Sequence, residues 1–211
     1  EEQLEWFAKP SFPVAEVKHI IQSKWTVREQ QEPIIRYALD YSQTKQKFIN
    51  LQTGKGKSFC TMKTVQELNK RAVVIIKPMF IEKWVEDLSR TYEINEGDIV
   101  TVQGLKQLMQ IQHLALAGQL NAKYIVISNK TMQMWIKDYE TLGNDLLDLG
   151  FTCLPEDLFE CLGADVRIID EVHMDFHLNF RLDLYTNVDK AISLSATLVN
   201  ADPFLVRMYE I

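Results

Sequence analysis

Lys47-Phe48-Ile49-Asn50-Leu51-Gln52-Thr53-Gly54-Lys55-Gly56-Lys57-Ser58 is the stretch that decides how this chain is read. Lys47 to Leu51 has the apolar content of a strand, two glycines interrupt it, and a helical stretch runs from Ser58 to about Leu68. Gly54 and Gly56 give the turn a backbone that can wrap closely around an anion, because only glycine takes the required conformations at little cost. The chemistry implied is that of a nucleoside triphosphate tail. Backbone N–H groups from Thr53, Gly54, Lys55 and Gly56 would cradle the phosphates, Lys57 would reach the β and γ groups, and Ser58 would offer its hydroxyl to Mg²⁺. The strict pattern GxxxxGK[ST] has a glycine where this chain has Leu51, so a lysine-rich turn is the alternative and a second motif is required.

That motif is Val166-Arg167-Ile168-Ile169-Asp170-Glu171-Val172-His173, an apolar strand that ends in two carboxylates. The carboxyl ends of parallel strands line one crevice, so Asp170 is expected beside Ser58 although it lies far away in sequence. Asp170 would hold Mg²⁺, mostly through water, and Glu171 would orient and deprotonate an attacking water. Taken alone, the pair would be two solvated acids closing a strand.

Further strands are expected at Ala72 to Ile76, Ile99 to Val102, Tyr124 to Ile127 and Ala191 to Leu194, with helices after Pro78, from about Leu105 to Ala117, and over Met132 to Tyr139. Alternation of this kind marks an α/β domain: a mostly parallel, doubly wound sheet with helices on both faces. Residues 1–23 read as an extension packed on the core at the sheet's edge, residues 24–211 as the domain itself, and residues 143–163 as one or two short helices.

TGKGKS, DEVH and Ser195-Ala196-Thr197 occur in that order, and together they resemble motifs I, II and III of superfamily-two DExH helicases, which often lack the first glycine of the phosphate loop. The resemblance runs from about Trp25 onward. It implies an N-terminal RecA-like ATPase domain that uses ATP and Mg²⁺ and has nucleic acid as its partner, with DNA ahead of RNA. It also implies that His173 links the nucleotide site to Ser195, Ala196 and Thr197, whose hydroxyls couple hydrolysis to movement. Trp25-Thr26-Val27-Arg28-Glu29-Gln30-Gln31 is similar to the segment in which an arginine packs on adenine and a glutamine three residues later pairs with its edge. Arg28 and Gln31 hold those places. A helix start capped by Thr26 is the other reading. Lys77-Pro78-Met79-Phe80 resembles motif Ia, so Pro78 and Met79, with Gly104, Ser128 and Asn129 at other strand ends, are candidate contacts to a phosphate backbone. Trp84, Trp135, Met132 and Met134 read as core.

The 211 residues are 46% hydrophobic and 25% charged, enough to bury a sizeable core. A net charge of −6 argues against a surface that is basic all over. The charge is asymmetric, with Lys45, Lys47, Lys55, Arg71 and Lys77 among the basic residues of the first half, so a one-sided basic face is expected. Three cysteines without CxxC spacing point to reduced thiols, in a cytoplasmic or nucleoplasmic setting, rather than to a disulfide framework or a zinc site. His173 and His177 stand four apart, but no third ligand at metal-site spacing accompanies them. No apolar run reaches the roughly 20 residues of a membrane span, so no membrane partner is expected.

Two readings of other classes compete: an inactive nucleotide-binding scaffold, and a small-molecule kinase with a phosphate loop. Lys57, Asp170 and Glu171 together oppose the first, and the DEVH and SAT segments oppose the second. The resemblance further implies a second RecA-like domain, outside these residues, that supplies an arginine finger. Such a finger contributes about 10³ to 10⁵ in rate in related phosphoryl transfers. Residues 1–211 alone are therefore expected to hydrolyse ATP poorly, and strong nucleic-acid-stimulated turnover by them would overturn the reading.

Overall fold

A computed structural model of the protein describes residues 17–42, 44–52, 54–172 and 175–196. Six strands form one sheet: β1 (Gln46–Asn50), β2 (Ala72–Ile76), β3 (Ile99–Val102), β4 (Tyr124–Ser128), β5 (Val166–Asp170) and β6 (Lys190–Ser195). Their order is β1-β6-β5-β2-β4-β3, and every neighbouring pair is parallel. The α/β class and all six strands agree with the sequence reading, with ends displaced by a residue at most.

Parallel neighbours require crossovers, and helices supply them. After α1 (Glu32–Leu39), which precedes β1, these are α2 (Lys57–Leu68), α3 (Ile81–Thr91), α4 (Leu105–Leu116), α5 (Asn129–Leu142), α6 (Leu158–Cys161) and α7 (Phe176–Tyr185). β2 and β4 are buried at every position, as strands covered on both faces must be. β1, at an edge, alternates between exposed and buried. Because successive side chains face opposite ways, the strands feed two cores. Val73, Ile75, Ile125 and Ile127 pack with Trp135 on one face, whereas Val74, Ile76, Val126 and Ile168 pack with Leu88 on the other.

Residues 143–163 form short 3-10 turns at Gly143–Leu149 and Pro155–Asp157, followed by α6. Leu146, Phe151, Leu158 and Phe159 from this segment complete the Trp135 core. The described part of the N-terminal extension runs along helix ends rather than beside an edge strand: the Val17 N–H donates to the Asn69 carbonyl, and Ile21 forms an antiparallel bridge with Tyr92. His19 is buried between the rings of Tyr92 and Tyr124, and burial lowers its pKa. No helix among the described residues is long and apolar enough to cross a membrane.

The expected basic face loses two of its members to the interior. Lys47 is 1% exposed and sits over the Tyr37 ring, and Arg71 is 7% exposed. Lys190 is likewise enclosed, 3.6 Å from the Tyr41 ring centroid and donating to the Asp40 carbonyl, so burial lowers its pKa. Arg71 donates Nε to the Ala122 carbonyl, Nη1 to that of Leu162 and Nη2 to that of Leu120, at 2.6 to 2.7 Å. One side chain thus satisfies three carbonyls from the segments that lead into β4 and β5. Arg71→Met should leave those acceptors buried and unpaired, with a loss of about 3 kcal/mol or more. Urea unfolding measures it; a loss below about 1 kcal/mol would mean the carbonyls find other partners.

Candidate functional site

The carboxyl ends of β1 and β5 open on the same side of the sheet, with β6 between them. The chain leaving β1 is held to β6 by the Leu51 N–H, which donates to the Ser195 carbonyl at 3.1 Å. Gly54 (φ 82°) and Gly56 (φ 88°) then take left-handed conformations. At Gly56 the constraint is double, because a Cβ there would stand 2.3 Å from Gln31 Nε2. Gly56 is the N-cap of α2, whose first residues are Lys57 and Ser58, so the positive end of a twelve-residue helix faces the cleft.

Lys57 Nζ lies 3.1 Å from Glu171 Oε1 and 3.3 Å from Asp170 Oδ1. Asp170 Oδ1 also accepts the Glu171 backbone N–H, and Oδ2 accepts the indole N–H of Trp84 at 2.9 Å. Glu171 has φ 54°, a left-handed conformation that costs a non-glycine residue about 1 kcal/mol or more. The other non-glycine residue with positive φ among the described residues, Asn69, ends a helix, where that conformation is common. Glu171 leaves a strand, and the turn there brings its carboxylate to Lys57.

A cleft of about 550 Å³ lies over this cluster. Lys57, Ser58, Asp170 and Glu171 line it, together with Trp25, Arg28, Gln31 and Phe59. The rings of Trp25 and Phe59 are 5.8 Å apart, and the Trp25 indole donates to the Arg90 carbonyl. Gln31 is 4% exposed, and its Oε1 accepts the Arg28 backbone N–H at 3.0 Å, closing a short 3-10 turn. Arg28, not Thr26, stands at the cap of that turn. On the cleft wall, burial pushes the Asp87 carboxyl above its usual range, against the pull of Lys83 and Arg90.

The remaining candidates fall in different settings. Lys55 is exposed beside the cleft. Pro78 and Met79 form a 3-10 turn after β2, with Met79 76% exposed. The Gly104 N–H is given to Thr131 Oγ1 at 2.7 Å. Ser128 and Asn129 are buried, and Asn129 donates its side-chain amide to Asp175, which also accepts from Gln133 at 2.8 Å. Ser195 is buried at the end of β6, followed by the partly buried Ala196. Thr53, His173 and Thr197 lie outside the described residues.

Sequence reasoning missed Phe59, the stacking of Trp25, and the contact of Trp84 with Asp170. Trp84 is core, as expected, at 2% exposure. The signal it offered was its indole N–H, a donor that seeks a partner when buried.

A parallel α/β sheet with a glycine loop and a strand-end acidic pair at one crevice is the RecA-like domain of superfamily-two helicases. The chain matches the family described as Type III restriction enzyme, res subunit, over residues 24–200, and it belongs to that family. Among solved structures it is similar to the Hef helicase domain of Pyrococcus furiosus (21% identity, TM-score 0.56), covering 86% of this chain and 35% of that one. It is also similar to the UvsW helicase of bacteriophage T4 (13%, TM-score 0.57), covering 97% of this chain and 62% of that one. A third likeness is to a nuclease-deletion mutant of the Type ISP restriction-modification enzyme LlaGI in complex with a DNA substrate mimic (16%, TM-score 0.52), covering 82% of this chain and 18% of that one. These likenesses concern the fold, and the chain spans less than two thirds of each structure. None of the curated proteins compared with the chain matches it.

The contact between Gly56 and Gln31 yields a test. Gly56→Ala should destabilise the protein by about 1 to 2 kcal/mol through left-handed strain, plus the clash with Gln31. Adding Gln31→Ala removes the clash alone, so the double variant should be more stable than the two single losses predict. Additive losses in a double-mutant cycle would show that Gln31 does not press on Gly56.

Proposed function

We propose that this domain binds Mg-ATP in the cleft between the glycine loop and Asp170–Glu171, as the first half of a nucleic-acid-dependent motor that moves on DNA or RNA. The observation that carries the proposal is the meeting of Lys57 with Asp170 and Glu171 from the ends of two strands that are not neighbours. The triphosphate would take Lys57 away from the two acids. That exchange would remove the Lys57 ion pair from the Glu171 carboxylate, the group that would accept a proton from the attacking water. Ser58 and Asp170 line the same cleft and present the hard oxygen donors that suit Mg²⁺. Mg²⁺, when bound, neutralises phosphate charge. Among the described residues no group of three or more His, Cys, Asp or Glu converges on one point. A metal held by one carboxylate, one hydroxyl and the substrate phosphates needs none.

Within the same cleft, Arg28 and Gln31 would meet the adenine, Gln31 exchanging its turn hydrogen bond for the base edge. Pro78 and Met79 are the exposed candidates for a phosphate backbone. Gly104 and Asn129 would act from behind them, since the Gly104 N–H and the Asn129 side-chain N–H are engaged internally, and Ser128 is buried beside Asn129. Ser195, Ala196 and Thr197 would pass the state of the nucleotide to that surface together with His173. A second RecA-like domain would supply the arginine finger. DNA is favoured over RNA because the LlaGI relative was solved with a DNA substrate mimic.

In the intact protein, Lys57→Ala should weaken ATP binding. Glu171→Gln should bind ATP nearly as wild type while turnover falls by about 10² or more. Nucleotide titration and phosphate release, with single-stranded DNA, duplex DNA and RNA in turn, measure both effects. Normal turnover by Glu171→Gln would remove the base assignment, and an absence of stimulation by all three nucleic acids would remove the motor.

A further inference from the structure

Both oxygens of the Asp170 carboxylate are held, and from different parts of the fold. Oδ1 accepts the Glu171 N–H at 2.9 Å and stands 3.3 Å from Lys57 Nζ. Oδ2 accepts the Trp84 indole N–H at 2.9 Å across 86 residues of sequence. Trp84 is 2% exposed in the core between α3 and the sheet, so its ring cannot turn away without opening that core.

Resting on the reading of Asp170 as the residue that holds Mg²⁺, we propose that Trp84 is a positioning residue for the metal. Its N–H engages Oδ2 and keeps Oδ1 turned toward Lys57 and the glycine loop. A carboxylate free to rotate would present either oxygen, and ordering it would oppose binding; a buried indole imposes that order during folding. The chemical type of the donor matters too. Arg or Lys in this position would compete with a cation for the carboxylate charge, whereas a neutral N–H fixes the plane and leaves the charge available. Trp84 also belongs to the helix that follows the Pro78–Phe80 turn, so the donor to Asp170 and the exposed Met79 lie on one continuous segment.

The molecule contains its own control. Trp135 is fully buried in the opposite core, and its Nε1 has no hydrogen-bond partner among the described residues. Trp84→Phe and Trp135→Phe therefore remove similar bulk from similar depth, but only the first removes a hydrogen bond to Asp170. In the intact protein, binding of a fluorescent non-hydrolysable ATP analogue is followed as Mg²⁺ is titrated. Trp84→Phe should raise the Mg²⁺ concentration for half-saturation about tenfold and leave analogue binding in EDTA unchanged. Trp135→Phe should leave both unchanged.

A Trp84→Phe titration within twofold of wild type, or an equal shift in Trp135→Phe, would overturn the proposal. If wild-type protein binds the analogue with no dependence on Mg²⁺, the reading of the site itself fails. Should Trp84→Phe not fold, the indole N–H signal of Trp84 in ¹⁵N-labelled wild-type protein decides the matter, assigned by elimination with Trp6→Phe, Trp25→Phe and Trp135→Phe. It should shift on addition of Mg²⁺ and analogue while the Trp135 signal stays; an unmoved Trp84 signal would equally overturn the proposal.

Discussion

The order β1-β6-β5 sets the distance on which everything at the cleft depends. Two inter-strand steps of about 4.8 Å put the exits of β1 and β5 roughly 10 Å apart. That gap is wide enough for a phosphate chain and narrow enough for Lys57, reaching from the start of α2, to touch both acids of the β5 exit. Parallel pairing fixes which ends face the cleft, since every carboxyl end opens the same way. Were β6 absent from between them, the loop would sit against the acids; with another strand inserted, Lys57 could not reach.

Much of this was legible in the sequence because it rests on local rules. Short β-branched runs without alternation at Ala72–Ile76 and Tyr124–Ile127 suit strands covered on both faces, and the strands found there are fully buried. Glycines at 54 and 56 announce a backbone that other residues resist, and both have positive φ. The strand order was not legible, because no local pattern says that β6 returns between β1 and β5. Side-chain partners were hidden for the same reason. Lys47 and Arg71 look like surface charge, and only the fold shows one enclosed by an aromatic ring and the other by three carbonyls. Asn129 looked like a surface contact at a strand end, but its amide turns inward to Asp175.

The acidic segment after β5 is held from two sides. Trp84 of α3 fixes Asp170, and Asn129 and Gln133 of α5 fix Asp175. Each helix begins just beyond the end of its preceding strand, α3 after the Pro78–Phe80 turn and α5 at Asn129 itself. A displacement at either strand end therefore moves a group bonded to the acidic segment. The elements that follow β2 and β4 are thus joined to the end of β5 and to Asp175 by direct hydrogen bonds.

Glu171 sits where these holds meet the greatest backbone strain. Its left-handed conformation opposes folding, yet it is stabilised by the hydrogen bond of its own N–H to Asp170 and by the contact of its carboxylate with Lys57. The two supports differ in kind. The Asp170 bond is made between adjacent residues, whereas the Lys57 contact reaches across 114 residues of sequence and competes with any anion that binds the lysine. A phosphate that took Lys57 would remove that ion pair, while the left-handed turn, which belongs to the backbone, would remain. For the role proposed for Glu171, the side chain must be directed before a substrate arrives, and a left-handed turn at the end of a buried strand fixes that direction through the backbone.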